Sequence, residues 1–213
     1  MLLCVKMITA ILCAVGGSLA ACRYIDTLYQ QKRDILSFPQ QTGFQALQRR
    51  RYLPAVLGIL FAFCLLDFEF DFFVIVLTLL FIYFLVIFTI TDWEQQVIFD
   101  ITLLPFSLLG LIFCLVTGAD LAAHLLAALG GGFLFLLLAV LTRGGIGGGD
   151  IKLIAALGLW LGVDALVEVV VWGFIAGGIG AFFLLKFRHK KKTDTFAYGP
   201  FFTIAALLQL FLR

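Results

Sequence analysis

Long apolar runs alternate with short polar breaks along the 213-residue chain, and cutting at the breaks leaves candidate spans over 1–22, 53–66, 72–90, 101–117, 121–141, 153–162, 165–185 and 201–212. A helix crosses the hydrocarbon core with about 20 apolar residues, or fewer where flanking side chains snorkel or the bilayer thins. The first, third, fourth, fifth and seventh runs meet that length, whereas 53–66, 153–162 and 201–212 are short enough to tilt, re-enter or extend into their flanks. The pattern predicts an all-α, polytopic membrane bundle of about eight spans, within a range of six to eight. The one sizeable polar stretch, 23–52, predicts a division into a first transmembrane helix with a basic cytoplasmic loop over 1–52 and a membrane-embedded core over 53–213.

Composition removes the soluble alternative. The chain is 63% hydrophobic and 13% charged, with a mean hydropathy of +1.12, too little polar surface for a soluble domain of this length. The net charge of +2 says little, but its distribution is informative. With the N-terminus outside, the inner loops hold Arg23, Lys32, Arg33, Arg49, Arg50, Arg51, Arg143, Lys152, Lys186, Arg188, Lys190, Lys191 and Lys192, and only Lys6 and Arg213 fall outside. The outer turns carry Asp67, Glu69, Asp71, Asp120 and Asp164, as the positive-inside rule requires. Arg49, Arg50 and Arg51 are expected to hold the polar segment at the anionic inner leaflet.

Leu19-Ala20-Ala21-Cys22 has the form of a lipoprotein cleavage box. Cleavage there would invert every later loop and put thirteen basic residues on the wrong face, so an uncleaved first span is expected. The five cysteines, Cys4, Cys13, Cys22, Cys64 and Cys114, include no C-x-x-C pair and read as small thiols within membrane helices. No metal site and no cofactor are expected.

Two acidic clusters far apart in sequence fall on the same inner side: Thr91-Asp92-Trp93-Glu94 with Asp100 following, and Gly147-Gly148-Gly149-Asp150. Two carboxyl groups at a partly dehydrated interface resist double ionisation, so one proton is shared. The ionised member can activate water while the other protonates the scissile carbonyl, which needs neither a nucleophilic side chain nor a metal. Gly147 and Gly149 would let a substrate backbone approach, Lys152 could hold a substrate carbonyl, and Glu94 and Asp100 could position water or attract a basic segment. Capping competes with catalysis: Thr91 with Glu94, or Asp92 with Gln95, has capping-box spacing, and Asp150 could cap the helix that begins at Ile151. The two roles are compatible. His124, Asp164 and Glu168 fall in the outer half and are expected to serve packing and solvation, and Gly173 with Gly177 reads as a small-residue packing surface.

At these residues the chain resembles the type IV prepilin leader peptidases, of the Gly-x-Gly-Asp class of membrane aspartyl proteases. Asp92 stands where the family has its first catalytic aspartate, although Phe99 replaces the proline of the Pro-Asp pair that follows at Asp100. The stretch GGIGGGDIKLIAALGLWLG from Gly144 to Gly162 is similar to the second motif, with Asp150 as the second aspartate and Lys152 after it. Tyr198-Gly199-Pro200-Phe201 and Arg50-Arg51-Tyr52 resemble two further family segments, so the likeness covers about residues 49–212. Residues 24–48 lack the paired cysteine motifs of the longer, bifunctional members, so the resemblance extends to the peptidase and not to their N-methyltransferase activity.

The resemblance implies an endopeptidase that removes a short basic leader from type IV prepilins or pseudopilins at the cytoplasmic face of a bacterial inner membrane. Its partners would be those precursors and the lipid bilayer, with no nucleic acid. Three alternatives stand beside it: a related intramembrane aspartyl peptidase with another substrate, a small polytopic transporter, and a non-enzymatic assembly factor. A transporter should place ionisable groups near the midplane, whereas these acids crowd the inner interface.

Overall fold

The computed structural model describes residues 2–67, 71–187 and 197–212. Seven α-helices follow in order: α1 (Leu2–Gln31), α2 (Thr42–Asp67), α3 (Phe72–Gln95), α4 (Asp100–Thr117), α5 (Leu121–Leu141), α6 (Gly148–Phe187) and α7 (Gly199–Phe211). Two short 3-10 helices, Arg33–Ile35 and Pro39–Gln41, lie between α1 and α2. No strand occurs among the described residues. Among the described residues five helices are long and apolar enough to cross a membrane, over Leu3–Gln31, Phe72–Gln95, Asp100–Thr117, Leu121–Leu141 and Gly148–Phe183. The chain is an all-α, multi-pass membrane protein, and many large apolar side chains on these helices are exposed, as lipid-facing surfaces require.

Among the described residues two of the short runs fall outside the long apolar helices: 201–212 is α7, of 13 residues, and 53–66 belongs to α2. Runs 153–162 and 165–185 are the two helical parts of α6, which meet at a break at Gly162, where φ of 72° and ψ of −175° leave the helical region, so the division read from hydropathy is present. The short 53–66 run is the end of α2, whose first part is polar and carries the three arginines. The segment 23–52, expected as a loop, is therefore mostly helical. Glu69, Arg188, Lys190, Lys191, Lys192 and Arg213 of the charge pattern lie outside the described residues.

The helices form two compact units, Met1–Val97 and Ile98–Arg213. In the first, α1 packs along α2 through Ala10, Ala14, Ala21, Ile25, Leu53 and Leu57, all nearly inaccessible. Cys22 and Cys64 are buried here, but Cys4 and Cys13 sit on the exposed face of α1.

In the second unit α6 is the central element, touching α4, α5 and α7. It meets α5 through small residues: a Cβ on Gly158 would lie 2.5 Å from the Ala128 backbone nitrogen, and one on Gly132 would lie 3.1 Å from Ala155 Cβ. Such backbone proximity supplies the dispersion contacts that hold helices together in lipid. On the α4 side Trp160 stacks on Phe106, centroids 5.5 Å apart, and its Nε1 donates to the Phe106 carbonyl at 2.8 Å. On the α7 side Gly173 admits the ring of Phe202, and Gly177 that of Tyr198, as expected of a small-residue surface. The break at Gly162 withdraws the N–H that the Leu159 carbonyl would meet in an unbroken helix. His124 Nδ1 donates to that carbonyl at 2.8 Å, so this buried histidine satisfies an orphaned backbone group.

Candidate active site

Asp92 lies in the last turn of α3 and is buried. The helix ends because Gln96 adopts a left-handed conformation, φ 54° and ψ 39°, and its N–H closes on the Asp92 carbonyl at 2.8 Å. This excludes the helix-start reading of Thr91 and Glu94, or of Asp92 and Gln95: the spacing is right, but the residues stand at the opposite end of a helix. Thr91, Asp92, Glu94 and Gln95 are buried, whereas Trp93 is exposed.

Glu94 is occupied by the first unit itself. Its Oε2 accepts from Arg49 Nη1 and from the Tyr29 hydroxyl at 3.0 Å, and its backbone carbonyl accepts from Gln45 Nε2 at 3.0 Å. Arg49 is 0% exposed. Its other terminal nitrogen, Nη2, donates to Asp26, and its guanidinium sits 5.3 Å from the centre of the Tyr29 ring. The arginine expected at the leaflet is thus an interior cation, because two carboxylates and an aromatic face replace its hydration. Arg50 is exposed, and its Nη2 donates to the second Asp26 oxygen at 3.2 Å. The Gln95 side chain pairs with the backbone of Phe38, accepting at 2.8 Å and donating at 3.1 Å, and also donates to Gln45 at 2.6 Å.

Asp150 stands in the first turn of α6, with Gly147 just before the helix. The Gly147 carbonyl accepts from the Asp150 N–H at 3.0 Å, and the Gly147 N–H donates to the Asp150 carboxylate. The side chain reaching back to the N–H before the helix is one half of a capping box, the other half being impossible for a glycine, so Asp150 does help to cap α6. Capping uses only part of the side chain. Asp150 Oδ1 is buried and has no hydrogen-bond partner among the described residues, an energetic cost that a purely structural cap need not carry.

Beside Asp150, Lys152 Nζ donates to both oxygens of Asp100 at 2.7 Å, tying the first turn of α6 to the start of α4 across an exposed surface. Gly149 faces Ile98, whose Cβ would be 3.1 Å from a Cβ at that position, and a Cβ on Gly147 would lie 3.3 Å from Asp150 Oδ2. The second unit therefore brings together Gly147, Gly149, Asp150, Lys152 and Asp100, and the first holds Asp92 with Glu94. Sequence reasoning missed Tyr29, Asp26, Gln45, the pairing of Gln95 with Phe38 and Gln45, and the burial of Arg49. The available signal was polar residues three or four apart on two helices, Asp26 with Tyr29 and Gln45 with Arg49. Among the described residues no group of three or more His, Cys, Asp or Glu side chains could hold a metal ion.

Residues 79–182 match the model of the type IV leader peptidase family. Curated proteins similar to the chain are named prepilin leader peptidase/N-methyltransferase. One from Neisseria gonorrhoeae is 41% identical over 128 residues, 57% of this chain and 43% of the relative. One from Aeromonas salmonicida is 33% identical over 132 residues, 59% and 45%. One from Escherichia coli K12 is 31% identical over 139 residues, 62% and 61%. The chain thus spans less than two thirds of the length of these relatives. No solved structure matches it. Residues 79–182, a stretch that includes both Asp92 and Asp150, are thus similar to the type IV leader peptidase family.

Proposed function

We propose that the chain is a membrane aspartyl endopeptidase that removes the short basic leader from type IV prepilins or pseudopilins, with Asp92 and Asp150 as its catalytic pair. The observation that carries this reading is the burial of both carboxylates at helix ends inside the one stretch that matches a leader peptidase family. In the reaction the ionised carboxylate takes a proton from water as the water oxygen attacks the scissile carbonyl carbon. The protonated carboxyl group gives its proton to the carbonyl oxygen, forming a neutral gem-diol. Collapse of the diol breaks the C–N bond, the amine leaves with a proton, and the pair returns to its singly protonated state.

The other site residues have supporting roles in this proposal. Gly147 fixes the Asp150 carboxylate through its N–H, and Gly149 allows the start of α6 to seat against Ile98. Lys152 and Asp100 hold the same turn from outside. Glu94 acts through the backbone that it shares with Asp92. The positive-inside charge pattern supports an inner-membrane location with the reaction at the cytoplasmic face, where a basic leader and its cleavage point would meet the interface.

Purified protein incubated with a precursor bearing a basic leader and an apolar helix should yield two fragments whose masses sum to the precursor plus one water. Failure to cut any of a panel of such precursors, under conditions where a known leader peptidase cuts them, would overturn the reading.

A further inference from the structure

We infer that Arg49, clamped between Asp26 and Glu94, is a positioning residue that sets the last turn of α3 and thereby the placement of Asp92. The inference rests on the reading of Asp92 as catalytic. Helix C-termini leave their last carbonyls unmet and fray unless something ties them. Here Glu94 and Gln95, two and three residues beyond Asp92, are tied to three other segments: α1 through Tyr29, α2 through Arg49 and Gln45, and the linker through Phe38. Arg49 is the node of this network, since it joins Glu94 to Asp26.

Stability is a poor explanation for such a node. Taking two charges out of water is costly, and apolar residues of similar volume commonly replace a buried ion pair with no loss. What apolar packing cannot reproduce is direction. A planar guanidinium with a carboxylate on each terminal nitrogen fixes the angle and distance between α1, α2 and the end of α3. Arg49 is fully enclosed and both its neighbouring acids are engaged, so it acts through the α3 backbone and not on a substrate. The same enclosure removes Glu94 as a surface that would attract a basic leader.

The test measures kcat, KM and the melting midpoint of the full chain in detergent, with one precursor peptide, for Arg49→Met/Glu94→Met, Arg49→Lys, Glu94→Gln and Asp92→Asn. The double Met variant should melt near wild type and keep KM within about twofold, while kcat per folded molecule falls about 10–100-fold, the scale set by a misplacement of about 1 Å. Arg49→Lys should recover part of that loss. Glu94→Gln keeps the size and the Tyr29 hydrogen bond, so it tests the clamp even if the double variant does not fold, and its kcat should fall with KM unchanged. Wild-type kcat per folded molecule in Glu94→Gln, with Asp92→Asn inactive, would overturn the clamp alone. An active Asp92→Asn would overturn the catalytic reading on which the clamp rests.

Discussion

Gly158→Ala is the sharpest test of how the second unit is held together. A Cβ there would lie 2.5 Å from the Ala128 nitrogen and 2.6 Å from the Ala127 carbonyl carbon and the Ala128 Cα, where ordinary contact begins at 3.4 Å. All three atoms are backbone, so no rotamer change relieves the clash and α5 must move from α6 by roughly 1 Å. A gap of about that size forfeits a quarter to a half of each contact's dispersion energy along the facing residues. Overpacking typically costs about 1–3 kcal/mol, and with a backbone obstacle the upper end, about 3 kcal/mol, is expected. Gly178→Ala is the matched control on the same helix: nothing lies within 4 Å of its Cβ. It should stabilise the helix by about 0.5–1 kcal/mol through propensity alone. Unfolding by SDS titration in mixed micelles, followed by circular dichroism, measures both. A Gly158→Ala protein no less stable than wild type would refute the close-packed α5–α6 seam.

Two further substitutions test local features. Arg143 holds the left-handed position of the motif that ends α5, with φ of 52°, its N–H on the Val140 carbonyl and the Gly144 N–H on Ala139. Arg143→Gly should therefore raise stability by about 1 kcal/mol in the same titration, and a loss would show that the arginine side chain matters more than its strain. His124→Phe removes the donor to the Leu159 carbonyl and should cost about 1–3 kcal/mol, whereas His124→Gln, which can still donate, should cost less; equal losses would contradict the hydrogen-bond account.

The helices were legible because lipid demands long apolar runs: α3, α4 and α5 lie within a few residues of the spans read from hydropathy. The polar helical turns of α1 and α2 were not. Residues 23–31 and 42–52 are helical where Arg49 meets Asp26 and Glu94, 23 and 45 positions away in sequence. An arginine followed by two more reads as surface charge, and only those distant acids bring it inside. Asp92 and Asp150 stood out as carboxylates bordering apolar runs. Asp92 lies at the end of the 72–90 run as its position predicts, and the competing helix-start reading fails because capping spacing looks the same at a start and at a finish. The α5–α6 seam was also missed, since Gly158 shows its role only against the backbone of Ala127 and Ala128.

The central claim is that Asp92 and Asp150 carry out the cleavage, and single Asn variants test it most directly. Asn keeps the volume of Asp, and at position 150 it can still accept from the Gly147 N–H, but it can neither ionise nor hold a shared proton. Cleavage of a precursor by Asp92→Asn and by Asp150→Asn should each fall by about 10²–10⁴-fold or more, with expression and melting midpoint nearly unchanged. Asp164→Asn, at an exposed acid on α6, should stay fully active. Near wild-type cleavage by either Asn variant would contradict the aspartyl mechanism.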